Sequence, residues 1–416
     1  MSRSSPARRP TLKSVAAVAG VSLSTASLVF SGKGPVAEAT RERVLTAAQK
    51  LHYLGPDPLA SSLRRGRAGV VAVIVEGRLL HAFHDPYAVS ILDGLSAVLD
   101  DIPTGMLLLS QSPQEPEHAI ERLAGTALDA TVFLGCGARS NPLTEHLRSR
   151  GIPMVAFGAP LDPDIVQVDI DGRAATRELA RHLAGLGHTR VAHVALPTDA
   201  RATPDPDPQA PDRVAPGHVT PERTTSERPT SDRPTSDHIA PDSIAPDRVT
   251  PRRIAPGRIA PGQVVALRDL DRVPFPDVAH RIEGVADIFG AATPVVIASS
   301  SDVEGGHDAG LALLAGPPAL RPTAILAQSD LLAVGVVRAA GELGLRVPGD
   351  LSVTGFDGVA LDWWEGTMTT AVQPGVDKGA AAGRMVRELL DGRRPDDVLL
   401  DTHLRIGTTT GPPPHA

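Results

Sequence analysis

The feature that most constrains the fold is a repeated alternation of short apolar runs and helix-like segments, which begins at residue 69. The first four runs read GVVAVIV, GMLLL, ATVFLG and IPMVAFG, and a second set reads RVAHVAL, PVVIAS, TAILAQ and LSVTGF. Such runs are typical of parallel strands that are buried on both faces. Two sets predict two doubly wound α/β lobes, with a ligand pocket in the cleft at the carboxyl ends of the strands.

A segment of different composition, residues 198–262, interrupts the second set. It contains near-repeats such as ERPTSDRPTSD and IAPGRIAPG, and it lacks the apolar residues that a core requires. We therefore predict disorder with some polyproline character. Because it follows the run RVAHVAL, where loops of an α/β lobe face the cleft, two interpretations stay open. The segment is either an inert loop or a tether that modulates ligand access or partner binding.

Ahead of the α/β region, residues 11–55 predict a small all-α domain of three helices. A turn at Gly20 and Val21 separates the first helix from LSTASLVF, so the first two helices form a helix-turn-helix. Val21 and Ala26 are expected in the core of this domain. The apolar positions with helical spacing in the first and third helices are Leu12, Val15, Ala16, Ala19, Val44, Leu45, Ala48 and Leu51.

Charge is distributed unevenly along the chain. Residues 1–67 contain eleven Lys or Arg and three acidic residues, which gives this segment a net charge of +8. The whole chain has a net charge of -7, so the remaining residues carry -15. A basic segment at one end of an acidic chain is typical of nucleic-acid binding confined to that end, although a solubilising tail has the same composition.

Composition and motifs also limit the other functions of the chain. The single cysteine, Cys136, excludes an internal disulfide framework and a multi-cysteine zinc site, and we interpret it as a small buried residue. There is no apolar run of about 18 residues and no signal-peptide core, so we expect a cytoplasmic protein without membrane contact. The sequence has no nucleophile and base arrangement, metal cluster or glycine-rich phosphate loop. We therefore expect that the protein is not an enzyme and binds no cofactor.

Residues 11–53 resemble the DNA-binding head of the lactose-repressor (LacI/GalR) family almost position by position. The resemblance continues, in the order of the family, through LGHTR, LLAVGVVRAAGELGLRVPGDLSVTGFD and TTAVQP. It implies a dimeric transcription regulator, usually a repressor, whose periplasmic-binding-protein-like core senses a small molecule, commonly a sugar. A homodimer with two-fold symmetry predicts a palindromic operator in double-stranded DNA.

Together these features predict an N-terminal all-α helix-turn-helix head and an α/β core of two doubly wound parallel-sheet lobes. The C-terminal lobe is interrupted by the insertion at 198–262. The predicted parts are a basic disordered tail at 1–10, the helix-turn-helix domain at 11–55, a hinge at 56–67, an N-terminal lobe at 68–172 and about 372–397, and a C-terminal lobe at 173–371 and about 398–410.

A helix-turn-helix reads base edges with the exposed face of its second helix, which here carries Leu23, Ser24 and Leu28. The family very often has arginine at the position of Leu28, and arginine grips guanine through two hydrogen bonds. Leucine suits a thymine methyl group instead, and Ser24 suits several bases, so we expect half-sites unlike those of arginine-bearing relatives. By resemblance, the residues that contact the DNA backbone are Ser22, Thr25, Ser27, Ser31, Lys33 and Thr40; Ser22 is also suited to cap the helix.

The segment LASSLRRGR resembles the hinge helix of the family. Leu63 corresponds to the leucine that the family inserts into the minor groove, where such a wedge unstacks one base step and kinks the duplex. An apolar linker residue that packs on the core is the alternative for Leu63. The preceding LGPDP has one residue more than the corresponding turn of the family, which leaves the register of the hinge open.

The effector residues that the resemblance implies are Tyr87, Asp171, Arg281, Asp330 and Asp357, and Trp363 is a further candidate because both tryptophans of the chain lie near a strand end. Carboxylates and a guanidinium placed together suit the vicinal hydroxyls of a sugar. Trp363 and Trp364 suit stacking on a sugar face or packing on the lobe surface, and Asp330 is also suited to cap the helix that follows it. Two asparagines of the family are replaced by Ser329 and Gly172, so polar side chains extend less far into the pocket. The identity of the effector therefore stays open.

Two classes of function therefore compete. In a regulator, effector binding shifts lobe closure and the docking of the hinge helices on DNA, in a direction that the sequence does not reveal. A solute-binding or sensor protein without a DNA role is the alternative. The basic head and the missing signal peptide favour the regulator. His188, in LGH, is interpreted as a structural residue.

Overall fold

The computed structural model describes residues 10–31, 34–55, 66–112, 116–134, 140–198, 262–269, 273 and 275–414. Contacts divide the chain into two units. Unit 1 comprises Met1–Ile170 and Pro374–Leu400, and unit 2 comprises Asp171–Gln373 and Asp401–Ala416. Cys136, most of the predicted hinge and nearly all of the predicted insertion lie outside the described residues. The domain boundaries drawn from the sequence stay a prediction.

The head begins with helix α1 (Leu12–Ala19), which a capping box starts. The Ser14 N–H donates to the Thr11 hydroxyl at 3.3 Å, and the Thr11 N–H donates to the Ser14 hydroxyl at 2.9 Å. The helix ends at Gly20, whose φ of 64° lies in the left-handed region that favours glycine. Two further helices follow, α2 (Leu23–Ser31) and α3 (Glu38–Lys50).

Small apolar side chains form the core of the head. The prediction that Leu45 belongs to this core is wrong, because its side chain is 43% exposed. It follows Val44 directly, so the helix turns it about 100° away from the stripe that faces the core, which Ala47 completes instead. The buried residues are Val15, Ala16, Ala19, Ala26, Val29, Val44, Ala47 and Ala48, with Leu12, Val21 and Leu51 among the partly buried side chains around them.

The α/β part of the chain alternates strands and helices, as predicted. Its first segment lies in unit 1 and contains β1 (Val70–Glu76), α4 (Leu79–His84), α5 (Pro86–Leu99), β2 (Gly105–Gln111), α6 (Pro116–Ala124), β3 (Ala130–Leu134), α7 (Leu143–Ser149), β4 (Met154–Ala156) and β5 (Val166–Ile170).

The chain then continues through unit 2. The elements there are α8 (Gly172–Gly185), β6 (Val191–Ala195), β7 (Val264–Ala266), α9 (Pro276–Phe289), β8 (Pro294–Ile297), α10 (Val303–Leu314), β9 (Ala324–Ala327), α11 (Asp330–Glu342), β10 (Ser352–Asp357) and β11 (Thr369–Val372). Short 3-10 turns cover Leu267–Asp269 and Pro318–Leu320. The chain returns to unit 1 with α12 (Gly375–Leu390) and β12 (Val398–Leu400), and to unit 2 with β13 (His403–Arg405).

The sheet of unit 1 has six strands in the order β12-β5-β4-β3-β1-β2, and every neighbouring pair is parallel. Alternate residues of β1 face opposite sides of the sheet, so Val73 packs in a core with α5 and α12, while Ile74 packs in a second core with α6 and α7. Burial on both faces explains why the strand sequences are continuously apolar.

The sheet of unit 2 has seven strands in the order β13-β11-β10-β9-β6-β8-β7. The five inner strands are parallel, whereas the edge strands β13 and β7 run antiparallel to β11 and β8. The predicted fold class, a helical head with two parallel-sheet α/β lobes, is confirmed. The antiparallel edges were not predicted, because three-residue strands leave too short an apolar signal in the sequence.

His188 connects the C-terminal segment to the sheet of unit 2. Its Nδ1 lies 2.9 Å from the Thr323 hydroxyl, and its Nε2 lies 3.0 Å from the Ser352 hydroxyl and 2.9 Å from the Gly411 carbonyl oxygen. Burial lowers the pKa of this imidazole. The structural interpretation of His188 is therefore confirmed.

Among the described residues, no single helix is long and apolar enough to cross a membrane. Helices α1 and α2 reach the required length and composition only when they are taken as a pair, and the pair is bent by 109° at the turn between them.

Two glycines allow α5 and α12 to approach each other closely in unit 1. A Cβ atom built on Gly94 would lie 1.9 Å from the carbonyl oxygen of Val376, and one on Gly379 would lie 2.0 Å from the carbonyl oxygen of Ile91. Backbone atoms cannot yield as a flexible side chain does, so these helix positions accept no larger residue. The contact holds the first turns of α12 against α5.

We expect Gly379→Ala to destabilise the protein by about 1–3 kcal/mol or more, because the added methyl group overpacks this helix contact. Gly341→Ala is the matched control, since a Cβ on this exposed residue of α11 meets no atom within 4 Å. The control should be neutral or stabilising by up to about 1 kcal/mol, as alanine favours a helix. Urea unfolding followed by circular dichroism measures both, and equal midpoints for the two variants would contradict the expectation.

Candidate functional site

Helix α2 of the head presents two leucines to the outside. Leu23 is 52% exposed and Leu28 is 38% exposed, and Ser24 lies exposed beside Leu23. The opposite side of the helix holds Ala26 and Val29, which are buried in the core of the head. The three side chains predicted to read bases therefore share the exposed face of a helix whose other face is fixed by packing.

Three hydroxyl groups cluster at the start of α2. The Thr25 N–H donates to the Ser22 hydroxyl at 3.0 Å, so Ser22 caps the helix. The same Ser22 oxygen lies 2.8 Å from the hydroxyl of Ser24 and 2.8 Å from that of Thr25. A helix N-terminus surrounded by hydroxyl donors is chemically suited to hold a phosphate group.

The other predicted backbone contacts lie around this face. Ser27 is half-buried, and Ser31 is exposed at the end of α2 with its hydroxyl 3.3 Å from the Leu28 carbonyl oxygen. Thr40 is half-buried in the first turn of α3, where its N–H donates to the Ala37 carbonyl at 2.9 Å. Lys33 and Leu63 lie outside the described residues.

In unit 2, Arg281 is held in place by two contacts. This residue of α9 is only 5% exposed. Its Nη1 donates to the carbonyl oxygen of Gln328 at 2.5 Å, and its guanidinium carbon lies 4.0 Å from the centre of the Phe356 ring. These partners follow β9 and lie in β10, at the carboxyl edge of the sheet, where ligands of α/β folds bind.

Asp171 begins the helix α8, which packs against the helix of Arg281. It is the N-cap of α8, and its Oδ1 accepts from the Ala174 N–H at 2.8 Å. A Cβ atom on the next residue, Gly172, would lie 3.8 Å from the Arg281 Cγ. The structure therefore brings an exposed carboxylate and a buried guanidinium to adjacent helices.

Gln328 was missed by the sequence analysis, although its amide connects three elements at the same edge. Its Oε1 accepts from the Leu196 N–H at 3.0 Å, and its Nε2 donates to the Val278 carbonyl of α9 at 3.2 Å. The same Nε2 lies 2.9 Å from the Nε2 of His193, which must then act as the acceptor. A lone glutamine at the end of the apolar run TAILAQ was the available signal.

Asp330 is fully buried at the start of α11. The interpretation of Asp330 as the N-cap is wrong, because Ser329 has the extended cap conformation and its hydroxyl accepts from the Leu332 N–H at 3.1 Å. The Asp330 Oδ2 instead accepts from the Val359 N–H at 2.9 Å. Burial raises the pKa of this carboxyl group to about 6. These contacts tie α11 to the loop after β10, and direct effector binding by Asp330 stays a prediction.

Asp357 ends β10 in an unusual backbone conformation. Its φ of 105° is positive, which costs a non-glycine residue about 1–3 kcal/mol and is frequent at functional sites. Gln373 holds it from two sides. The Gln373 N–H donates to the Asp357 carbonyl at 3.0 Å, and the Gln373 side-chain amide donates to the Asp357 carboxylate at 2.7 Å.

The two tryptophans have different environments. Trp364 packs partly buried against the core of unit 2, which confirms the packing interpretation for that residue. Trp363 is 62% exposed. Only Trp363 therefore offers an indole face that a ligand could cover.

Tyr87 is the one predicted effector residue in unit 1. It is half-buried in the first turn of α5, and its N–H donates to the carboxylate of the N-cap Asp85 at 2.9 Å. The ammonium group of Lys378 lies 6.0 Å from the centre of its ring. The sequence analysis missed this lysine, because nothing in the local pattern reveals that α12 packs beside α5.

A cavity of about 400 Å³ in unit 1 is lined by none of the predicted effector residues. It lies at the opposite end of the sheet, near the amino end of β1, and its lining includes Arg67, Asp129 and Arg387. Among the residues that the structure describes, no group of three or more His, Cys, Asp or Glu side chains could hold a metal ion.

Two family models match the chain. The model described as bacterial regulatory proteins, lacI family, matches residues 11–55, and the model described as a periplasmic binding protein-like domain matches residues 289–410. The first match covers the helix-turn-helix, and the second covers most of the elements that follow α9. The chain therefore contains both domain types, in the order that the resemblance implied.

Several relatives match over nearly the whole chain. An HTH-type transcriptional regulator of Mycolicibacterium smegmatis is 29% identical, and the match covers 98% of each chain. A lac repressor dimer bound to operator and the anti-inducer ONPF has a TM-score of 0.68 at 19% identity, and covers 97% of this chain and 100% of that chain. A complex of the regulator CelR with cellobiose has a TM-score of 0.58 at 24% identity, with coverage of 96% and 100%.

The buried His193 makes a pH-dependent contribution to stability. Burial lowers the pKa of His193 from 6.5 to about 3. Below about pH 6.5 the unfolded chain therefore binds one proton more than the folded chain, and stability falls as the pH falls. Between pH 7.5 and 5.5 we expect this to remove about 1.4 kcal/mol of unfolding free energy.

His193→Gln keeps a hydrogen-bond acceptor and removes the titrating group. Urea unfolding of both proteins at the two pH values should show the smaller loss in the variant, while the other histidines contribute equally to both. Equal losses in the two proteins would show that His193 titrates normally in the folded chain.

Proposed function

We propose that this chain is a member of the LacI family of bacterial regulatory proteins and a repressor whose binding to operator DNA is controlled by a sugar. It is a DNA-binding transcriptional regulator with a helix-turn-helix head and a periplasmic-binding-protein-like core. The proposed place of action is the cytoplasm, where the operator DNA is, and the proposed assembly is a homodimer on a palindromic site.

The observation that carries the proposal is the exposed face of α2. Leu23 and Leu28 remain exposed, although the head has a core of its own in which apolar side chains gain stability. Apolar groups on the reading face of a helix-turn-helix bind thymine methyl groups in the major groove. Ser24, between them on this face, adds a hydroxyl that pairs with several bases.

Contacts to the DNA backbone supply most of the proposed affinity. The hydroxyls of Ser22 and Thr25 at the start of α2 support this role, because they adjoin the free N–H groups of the helix. Phosphate contacts by Lys33 and a minor-groove wedge by Leu63 are proposed from the resemblance alone. The remaining proposed backbone contacts are Ser27, Ser31 and Thr40.

For the effector, the proposed contacts in unit 2 are Asp171, Arg281, Asp357 and Trp363, with Asp330 as a further candidate. Arg281 and the two exposed or half-buried carboxylates offer donors and acceptors for adjacent hydroxyl groups. Tyr87 is the proposed contact from unit 1. The complex of the relative CelR with cellobiose supports a sugar as the class of effector.

Selection of operators from a random DNA pool by the full-length chain tests whether it binds a specific DNA sequence. We expect an enriched palindrome and an affinity that falls steeply with salt, because several phosphates are contacted. Adding glucose, maltose or cellobiose to the complex should then change the affinity for the selected operator. Weak binding to all sequences with little salt dependence would favour a solute-binding protein and overturn the proposal.

Leu28→Arg should change the preferred base at one position of each half-site, because arginine grips guanine while leucine packs on a methyl group. Discrimination by such a contact is worth about 1–3 kcal/mol. The salt dependence should rise by no more than the added charge explains. Selection with the variant, beside the control variant Lys50→Met at the end of α3, measures the shift. An unchanged preferred sequence would mean that Leu28 does not face the bases.

A further inference from the structure

Lys378 is a buried cation in unit 1 whose hydrogen-bond donors have no acceptor in the described part of the chain. The residue lies in the first turns of α12 and is 5% exposed. Among the described residues its ionic partner is Asp169 in β5, whose Oδ1 is 3.9 Å from the Nζ atom, which is beyond hydrogen-bond distance. The Nζ atom is not among the fully enclosed polar atoms of the described residues, so its donors are open to solvent or to a ligand.

Two aromatic rings lie beside this ammonium group. The Nζ atom is 6.0 Å from the centre of the Tyr87 ring and 5.9 Å from the centre of the Phe157 ring. A Cβ atom on Gly375 would lie 3.3 Å from the Tyr87 ring, so the start of α12 packs against the same tyrosine. The rings of Tyr87 and Phe157 and the ammonium group of Lys378 thus form one cluster in unit 1.

The cluster lies at the edge of the sheet where ligands of α/β folds bind. Phe157 directly follows β4, and Asp169 is the last residue but one of β5. Both therefore lie at the carboxyl edge of a parallel sheet, where α/β folds bind their ligands. Asp169 is partly accessible, with 28% of its side chain exposed.

The two charged groups of the cluster, Lys378 and Asp169, are opposite in sign. The negative charge of Asp169 compensates the ammonium group at 3.9 Å, and in a partly buried place this attraction is strong. A ligand carboxylate or phosphate bound to Lys378 would be repelled by Asp169. A hydroxyl group fits both residues, because it accepts from the ammonium group and donates to the carboxylate.

We propose that Lys378 and Asp169 bind a hydroxyl group of an uncharged sugar beside the cluster formed with Tyr87 and Phe157. The effector is therefore a neutral sugar rather than a sugar acid or a sugar phosphate. The inference rests on the proposed control of operator binding by a sugar, and it adds the charge class of that sugar and two residues that select it.

The test compares matched neutral and charged sugars on the full-length chain. Glucose, maltose and cellobiose are titrated by calorimetry beside glucuronic acid, maltose 1-phosphate and cellobiose 6′-phosphate, and release from the selected operator is followed by fluorescence anisotropy. At least one neutral sugar should bind, and its charged analogue should bind at least about tenfold more weakly, as expected for a repelled charge.

Variants then assign the selectivity to the pair. Lys378→Met should weaken binding of the neutral sugar by about 10- to 100-fold, the usual value of hydrogen bonds to a charged group. Asp169→Asn removes the repulsion, so the affinity for the charged analogue should rise relative to that for the neutral sugar. Arg384→Met, which removes a cation from the exposed side of α12, is the control and should bind like the natural chain.

Two results would overturn the inference while sugar control of operator binding stands. One is tighter binding of a charged analogue than of its neutral partner by the natural chain. The other is an unchanged affinity of Lys378→Met for the neutral sugar. If none of the six compounds binds the chain, the sugar clause of the proposed function fails and this inference fails with it, whereas operator binding is tested separately.

Discussion

Burial of parallel sheets on both faces is the constraint on which the rest of the α/β core depends. Strands such as β3 and β6 are fully buried, so polar groups at their carboxyl ends must bond to one another. In unit 2 this produces the chain of contacts from His193 through Gln328 to Arg281. These bonds also fix side chains of the candidate effector site, so that a ligand does not have to order them when it binds.

The head is stabilised in a different way from the α/β core. Its core consists mostly of alanines and valines, and these fix α2 from one side only. The residues proposed to select a DNA sequence lie on the other side, where they contribute little to folding. Sequence preference can therefore change at Leu23, Ser24 or Leu28 without loss of the fold, whereas the core positions of α2 cannot change so freely.

Particular residues show what could be predicted. The periodicity of apolar residues predicted the helices of the head and the strands of the core, and the exposed face of α2 agrees with the helix-turn-helix pattern. Periodicity was misleading at Leu45, because an apolar residue beside the core stripe has the same local signal as one within it. The sequence offered Asp330 as an alternative cap of α11, whereas the cap is Ser329, since either residue type starts a helix and only the backbone angles distinguish them.

The sequence by itself determined the fold class, the order of the domains and the leucines and serine on the exposed face of α2, because these depend on short-range patterns of burial and turn residues. Only the tertiary structure decided which distant side chains meet. Lys378 joins Asp169 and Tyr87 because α12 returns the chain to unit 1, and Gln328 meets Arg281 because β9 and α9 pack together. Such contacts depend on the topology of the chain, and the local sequence around each residue gives no signal of them.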